Sequence, residues 1–244
     1  MQIRSTMLAV AGLAIAASST QAAVVFNFSS GARSAQAVFN TSGSNLVITL
    51  TNTATADALV PVDILTAMFF NVSGGSLALT PVSAVLNAGS SIVGKPGAVP
   101  APSTEPGNAI SSEWAYKGAL VGAPGSGAYG ISSTGIGFFG PGDRFNTATN
   151  LQGPTSPGGL QYGITTAGDD PSTGNGDYNA NALVKNSVVF TLSGLPANFD
   201  LNRITDVTVL YGTSATDPFI KVPTPGSVAL LGAGLLVSRR RRRP

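Results

Sequence analysis

The segment 112–116, "SEWAY", holds the residues best suited to act on a sugar. Glu113 stands beside Trp114 and Tyr116, and Asp143 is a candidate second carboxylate. Two carboxylates flanking a glycosidic bond are the usual machinery of glycoside hydrolysis, and aromatic faces can stack on sugar rings. In an ordinary β-strand, Trp114 and Tyr116 would share one face and Glu113 would point to solvent. A hydrolase, a carbohydrate-binding module and a plain strand therefore all remain open at this segment.

Composition excludes several other kinds of catalytic site. The chain of 244 residues contains no His and no Cys. It therefore has no Ser-His-Asp or Cys-His mechanism, no zinc–thiolate site and no disulfide. Two glycine-rich segments, 89–96 and 135–140, imitate nucleotide-binding loops, but a proline follows where a helix should begin. We expect no cofactor.

Acidic residues cluster in the segment 168–177, "GDDPSTGNGD". Asp169, Asp170 and Asp177 supply carboxylate oxygens of the kind that calcium prefers, together with the amide of Asn175. Their spacing differs from that of an EF-hand loop, and Asp, Asn and Gly are also the ordinary residues of turns. The cluster is a weak calcium candidate.

The charge distribution argues against a nucleic-acid partner. The formal net charge is +2, but five of the thirteen basic residues form one run near the C-terminus. Between Ala23 and Lys221, seven basic residues stand against all eleven acidic ones, a formal charge of −4. Because this body is mildly acidic, the basic pI gives no reason to propose nucleic-acid binding, and we expect no nucleic-acid partner.

The elements that would position any site are β-strands. Residues 45–54 alternate, with Leu46, Ile48 and Leu50 on one face, while residues 64–72 form the continuous apolar run typical of a strand buried on both sides. Further strands are predicted at 24–28, 35–40, 187–195 and 204–212. Residues 137–177 are rich in Gly, Pro, Asn and Asp, which favours long loops. The pattern predicts an all-β protein with a single β-sandwich-like domain.

The N-terminal segment has the layout of a secretory signal peptide. Arg4 supplies the positive charge, and residues 7–17 form an apolar stretch of eleven residues. Small residues follow, and cleavage is expected after Ala22 or Ala23. We therefore expect residues 1–22 to be a signal helix and the protein to be exported.

The C-terminal segment combines prolines, a short apolar run and arginines. Pro223 and Pro225 flank Thr224, and residues 226–237 are uncharged. Twelve residues make a helix of about 18 Å, against a hydrocarbon core of roughly 30 Å. A run of five arginines follows this apolar segment: Arg239, Arg240, Arg241, Arg242 and Arg243. Such a basic run is typical of a transmembrane segment whose C-terminal end stays on the cytoplasmic side of the membrane.

This segment resembles the PEP-CTERM sorting signal, which has a Pro-Glu-Pro motif, a short transmembrane helix and an Arg-rich end. Pro223 and Pro225 match the two prolines, whereas Thr224 stands in the place of the usual Glu. The resemblance implies processing near residues 223–225 by an exosortase, a membrane enzyme. Segments 130–145, 150–164 and 185–196 also resemble parts of exosortase-dependent surface proteins. A plain tail anchor and a basic membrane-surface tail are the alternatives.

The sequence thus predicts three parts: a signal peptide (1–22), a β-rich surface domain (23–221) and a sorting signal (222–244). It indicates an exported, non-enzymatic surface or extracellular-matrix protein of a Gram-negative bacterium, held transiently in the inner membrane before release. Its expected partners are the export machinery, the exosortase and the membrane, with exopolysaccharide as an open candidate. The alternatives are a carbohydrate-binding module or hydrolase using residues 113–116, and a protein that keeps its membrane anchor.

Overall fold

The computed structural model describes residues 21–94, 106–145, 159–170, 172–174 and 181–222. Within these ranges the regular elements are β-strands and 3₁₀ turns of three residues each. The strands are β1 (Val24–Ser30), β2 (Arg33–Ser42), β3 (Asn45–Asn52), β4 (Leu65–Val72), β5 (Thr80–Leu86), β6 (Ser91–Val93), β7 (Ala115–Lys117), β8 (Tyr129–Ser132), β9 (Ile164–Thr165), β10 (Leu183–Lys185), β11 (Ser187–Ser193), β12 (Ile204–Tyr211) and β13 (Phe219–Val222). The all-β prediction is confirmed.

The predicted helices at the two ends lie in residues 1–20 and 223–244, outside the described residues. In the part of the chain that the structure describes, no helix has the length and hydropathy needed to cross a membrane.

The first sheet has five strands in the order β1-β2-β3-β11-β5, and every pairing is antiparallel. Its strands follow the alternation in the sequence. Leu46, Ile48 and Leu50 of β3 have no exposed surface, while the residues between them are half-buried. Two-residue turns join β1 to β2 and β2 to β3, and each begins with a glycine at positive φ, Gly31 and Gly43. Glycine reaches this conformation without steric cost, so the local sequence sets the register of all three strands.

The second sheet has the order β13-β12-β4-β9-β10-β6, with β8 paired to β4 and β7 paired to β8. Its pairings are antiparallel except for β9 with β10. Strand β4 is buried on both sides, as its continuous apolar run predicts. Met68 and Phe70 belong to the main core, whereas Ala67 and Phe69 pack into a second cluster with Phe139. One face of β4 packs against the first sheet. Residues outside the strands, among them Phe139, pack on the other face.

The main core lies between the two sheets. Phe39 of β2 contacts Phe26 of β1 in the same sheet and Phe70 of β4 in the opposite sheet, with ring centroids 5.6 and 5.5 Å apart. Both contacts are edge-to-face, the arrangement that aromatic quadrupoles favour. Buried side chains of both sheets share this cluster, so the core joins the two sheets.

Candidate functional site

The segment around Glu113 does not form the exposed strip that the sequence left open. Glu113 ends a 3₁₀ turn, Ser111–Glu113, and is only 5% exposed, so the expectation that it points to solvent is wrong. Trp114 follows the turn with no exposed surface, and its ring lies 4.8 Å from that of Phe190. Tyr116, in β7, is 5% exposed. Both rings pack in the main core, so neither has a free face on which a sugar could stack.

Arg144 accounts for the buried charge of Glu113. Its guanidinium is 4% exposed and donates a hydrogen bond through Nη1 to the carbonyl of Ser112. Burial lowers the pKa of Arg144, and the negative charge of Glu113 acts in the opposite direction. Removing one of two opposite charges buried near each other is costly, because it leaves the other charge without compensation.

Asp143, the candidate second carboxylate, has hydrogen-bond partners of its own. Its Oδ2 accepts from Lys117 Nζ at 3.3 Å and from the backbone N–H of Gly140 at 2.8 Å. These bonds fix Asp143 within the turn Pro141–Asp143. The carboxylate of Asp143 therefore serves a local structural contact.

The calcium candidates also have other partners. Asp169 is 1% exposed, and its two oxygens accept from the backbone N–H of Ala58 at 2.9 Å and from the hydroxyl of Thr165 at 2.6 Å. Asp170 is exposed and accepts from the N–H and hydroxyl of Ser172. The backbone bond from Ser172, with its hydroxyl bond second, lowers the pKa of Asp170. Asp177 lies outside the described residues, and within them no three metal-binding side chains are grouped.

The predicted processing positions flank the described strands in the sequence. Ala22 and Ala23 are exposed and directly precede β1. Pro223, Thr224 and Pro225 follow β13 and lie outside the described residues, as do Arg239, Arg240, Arg241, Arg242 and Arg243.

A pocket that sequence reasoning missed opens where several strands end. Its volume is about 190 Å³. The loop between β3 and β4 contributes Ala54, Ala56 and Ala58, the start of β2 contributes Arg33, and the end of β12 contributes Tyr211. We name it the alanine pocket. Its residues are scattered from position 32 to position 211 and form no motif, so the sequence contained no signal for it.

Hydrogen bonds hold the loop that forms this pocket. Asp63 accepts from the backbone N–H groups of Leu59 and Val60 and pairs with Arg33 at 3.2 Å. Arg33 also donates from Nε to the carbonyl of Val62 at 2.7 Å. Together with the bond from Ala58 to Asp169, these contacts fix the pocket wall to both sheets.

Two hydroxyls in the lining lack partners. Tyr211 is fully buried and Thr166 is 2% exposed, yet neither hydroxyl has a hydrogen-bond partner among the described residues. Burial raises the pKa of Tyr211, and the nearby guanidinium of Arg33, 6.0 Å from the ring centroid, acts in the opposite direction. The phenol is therefore neutral at physiological pH. Buried polar groups normally have partners, but other buried polar atoms of the described residues lack one too, so the pocket is a candidate site because of its shape and not because of these hydroxyls.

The fold and the pocket define a structural class of protein, and they do not define a family. This is an all-β protein built on two sheets, with a small pocket at the strand ends. We found no match to a protein-family model, to a curated protein or to a solved structure.

Proposed function

We propose that this is an exported, non-enzymatic surface or extracellular-matrix protein, processed by an exosortase through residues 222–244. The proposal rests on where the first described strand begins and the last described strand ends in the sequence. β1 begins at Val24, directly after the expected signal cleavage, and β13 ends at Val222, directly before Pro223. Cleavage at both positions would remove no residue from any strand that the structure describes, so these strands would survive maturation intact.

The contacts of β13 support the same interpretation. β13 is an edge strand that pairs only with β12 among the described strands. Lys221 binds the Asp206 carboxylate at 2.9 Å and the carbonyl of Gly125 at 3.0 Å. These bonds hold the last strand against the domain, so a processing enzyme would act on residues 223–225 without unfolding the sheet. The alternative of a sugar-binding strip at residues 113–116 gains no support from its buried rings.

The intact mass of the protein recovered from cell surface and medium tests the proposal. Cells with a working exosortase should yield a species that starts near Ala23 and ends near Pro225. Cells without the enzyme should retain all five arginines. Retention of the arginines in both strains would contradict the proposal and leave a tail-anchored protein.

Substitutions in the motif sharpen this test. Replacing Pro223 and Pro225 together by Ala should block maturation, and Thr224→Glu, which restores the usual motif, should speed it. Pro102→Ala is the matched control, because it removes a proline from a different segment and should mature normally. Equal maturation of the double proline variant and the control would place the recognition elsewhere.

A further inference from the structure

The outer edge of β1, the side of the strand that faces away from β2, pairs with no other strand among those described. We propose that this edge pairs with the same edge of a second copy of the chain, antiparallel and about a two-fold axis at Asn27. The first sheets of the two copies would then form one continuous sheet. The inference is independent of the sorting route, because β1 is far in the sequence from residues 222–244.

Three residues of β1 direct their backbone groups to the outer edge. The turn that joins β1 to β2 has two residues, so its closing pair, Ser30 and Arg33, exchanges hydrogen bonds. Bonded and non-bonded pairs alternate along an antiparallel ladder. The N–H and C=O groups of Val25, Asn27 and Ser29 therefore point away from β2.

The neighbouring pair of strands confirms this alternation. The N–H of Thr53 donates to the carbonyl of Ser34 at 2.9 Å, so the backbone groups of Ser34 face β3. The residue of β1 opposite Ser34 is Ser29, which therefore receives no backbone bond from β2. The outer edge of β1 thus offers a regular row of donors and acceptors to a further strand.

The other edge strands of the two sheets carry features that discourage such pairing. β5 contains Pro81 and a register irregularity, and its residue Ala84 is bonded on the outer side to Ile110 and Ser111. β13 carries Lys221, while β6 and β7 have three residues each. Proline, charge, bulges and short length are the usual protection of a sheet edge.

β1 has none of this protection. It is seven residues long, contains neither proline nor a charged residue, and pairs with β2 in an unbroken register. A regular, uncharged edge of this kind is a template for another strand. β1 is therefore the described edge best suited to an interface.

The order of residues in β1 matches an antiparallel copy of itself. With the two-fold axis at Asn27, Asn27 lies opposite Asn27 of the second copy, and Val25 lies opposite Ser29. The three pairs exchange about six backbone hydrogen bonds, and any other register of these residues gives fewer. No charge is brought opposite another, and both copies present the same surface, as a two-fold interface requires. β1 has no charge that would select the side chains of a different protein, which favours a second copy.

The two faces of β1 determine what the second copy would contact. Phe26 and Phe28 are 1% and 2% exposed and pack in the main core, so the second copy would meet the backbone edge and not an open core. Val25 is 43% exposed on the outer face, and pairing would cover part of it. Backbone hydrogen bonds therefore supply most of the contacts, as in other cases of strand addition. We expect a reversible dimer.

Sedimentation velocity of the purified full chain tests the proposal, over concentrations from about 1 μM to about 1 mM. A nonionic detergent that shields the apolar residues 226–237 is present throughout. We expect a monomer–dimer equilibrium. A chain that stays monomeric at all of these concentrations would overturn the proposal and leave the edge of β1 to a strand of another protein.

A charge at the two-fold axis should weaken the dimer. Asn27→Lys places two like charges opposite each other, and we expect association at least about tenfold weaker. Asn27 is exposed and its side chain accepts one exposed bond, from Gln36, so the fold should persist in thermal denaturation. Asn40→Lys is the matched control, because it adds the same charge at an exposed position of β2. Equal association of the two folded variants would contradict the proposal.

Charge pairs test the register. Val25→Lys combined with Ser29→Asp places each Lys opposite an Asp of the second copy, so this variant should dimerise at least as well as the original chain. Val25→Lys combined with Ser29→Lys places like charges opposite each other and should dimerise at least about tenfold more weakly. An effect on folding alone would not depend on the sign of the charge at position 29. Equal association of both double variants would exclude this register.

A single introduced thiol tests the position of the axis, because the chain contains no Cys. In Asn27→Cys the two thiols lie on strands whose paired Cα atoms are about 5.5 Å apart, so a short bis-maleimide linker should join two chains. In Asn40→Cys the two positions would be roughly 30 Å apart, beyond the reach of the linker. Equal cross-linking of Asn27→Cys and Asn40→Cys would overturn the proposed arrangement.

Discussion

The carboxylate of Asp169 accepts a hydrogen bond of 2.9 Å from the backbone N–H of Ala58, 111 residues away in the chain. The other oxygen of Asp169 accepts from Thr165 at 2.6 Å. One buried side chain thus joins the loop after β3 to the turn after β9. This contact explains both why Asp169 is buried and why the pocket wall stays in place.

Removing the carboxylate of Asp169 should lower the free energy of unfolding. Asp169→Ala leaves the N–H of Ala58 and the hydroxyl of Thr165 buried without an acceptor, and we expect a loss of about 2–4 kcal/mol in the free energy of unfolding. Chemical denaturation measures the loss. Asp170→Ala, one residue further along and exposed, is the control and should cost much less than Asp169→Ala. Equal losses in the two variants would contradict the structural role of Asp169.

Trp114 should report on the core and not on a ligand surface. It is the only tryptophan in the chain and has no exposed surface, so its emission should be that of a buried indole and shift to the red on unfolding. Trp114→Ala should cost about 3–5 kcal/mol, because it empties a volume packed against Phe190. Trp114→Phe should cost less.

A Trp114→Ala variant that keeps full stability would contradict this burial. Loss of sugar binding in such a variant, with the fold intact, would instead favour the carbohydrate-binding alternative. Chemical denaturation and a sugar titration of the same sample separate the two outcomes.

The pair between Asp206 and Lys221 should make stability depend on pH. The bond from Lys221 is the largest cause of a lowered pKa at Asp206. The pKa of Asp206 is lower in the folded protein than in the unfolded chain, where it is about 3.9. The stabilisation is therefore fully present above the unfolded pKa. It is lost as the pH falls through the folded pKa. About two fifths of each of the two side chains is exposed to solvent. The contribution of the pair to the free energy of unfolding should therefore stay below about 1 kcal/mol.

Asp206→Asn isolates this contribution. Asn tolerates the positive φ of 53° found at this position, so the substitution changes charge with little backbone strain. The stability difference from the original chain should appear at neutral pH, shrink below about pH 4 and decrease in high salt. In a Lys221→Met background the effect of Asp206→Asn should be smaller, with the bond from Asn71 to the Asp206 carboxylate remaining. A pH-independent difference would show that the charge is not responsible.

Gly194 should be intolerant of any side chain. It has a φ of 102°, and an added Cβ would lie 2.4 Å from the carbonyl oxygen of Ala78. Gly194→Ala should therefore cost on the order of 3 kcal/mol or prevent folding. Gly43→Ala is the matched control: Gly43 also has a positive φ, of 60°, but has open space around it, so only the backbone cost of about 1 kcal/mol should remain. Thermal denaturation of both variants measures the difference.

The sequence by itself determined the strands. Alternation with a period of two residues predicts β3 from Asn45, and a continuous apolar run predicts β4, because each pattern depends only on neighbouring residues and on which faces are buried. The confirmed strands β1, β2, β11 and β12 follow from the same local signal. The sorting and signal segments stay predictions from the sequence.

Only the tertiary structure decided where the candidate site lies. Local alternation around Glu113 predicted a solvent-facing carboxylate, but Arg144, 31 positions further along, brings a buried countercharge to it. Arg33, Thr166 and Tyr211 come together in the lining of the alanine pocket from distant parts of the chain. A strand pattern is encoded by adjacent residues, whereas a pocket depends on which distant strand ends the sheets bring together. For that reason the sequence predicted the strands and did not predict the pocket.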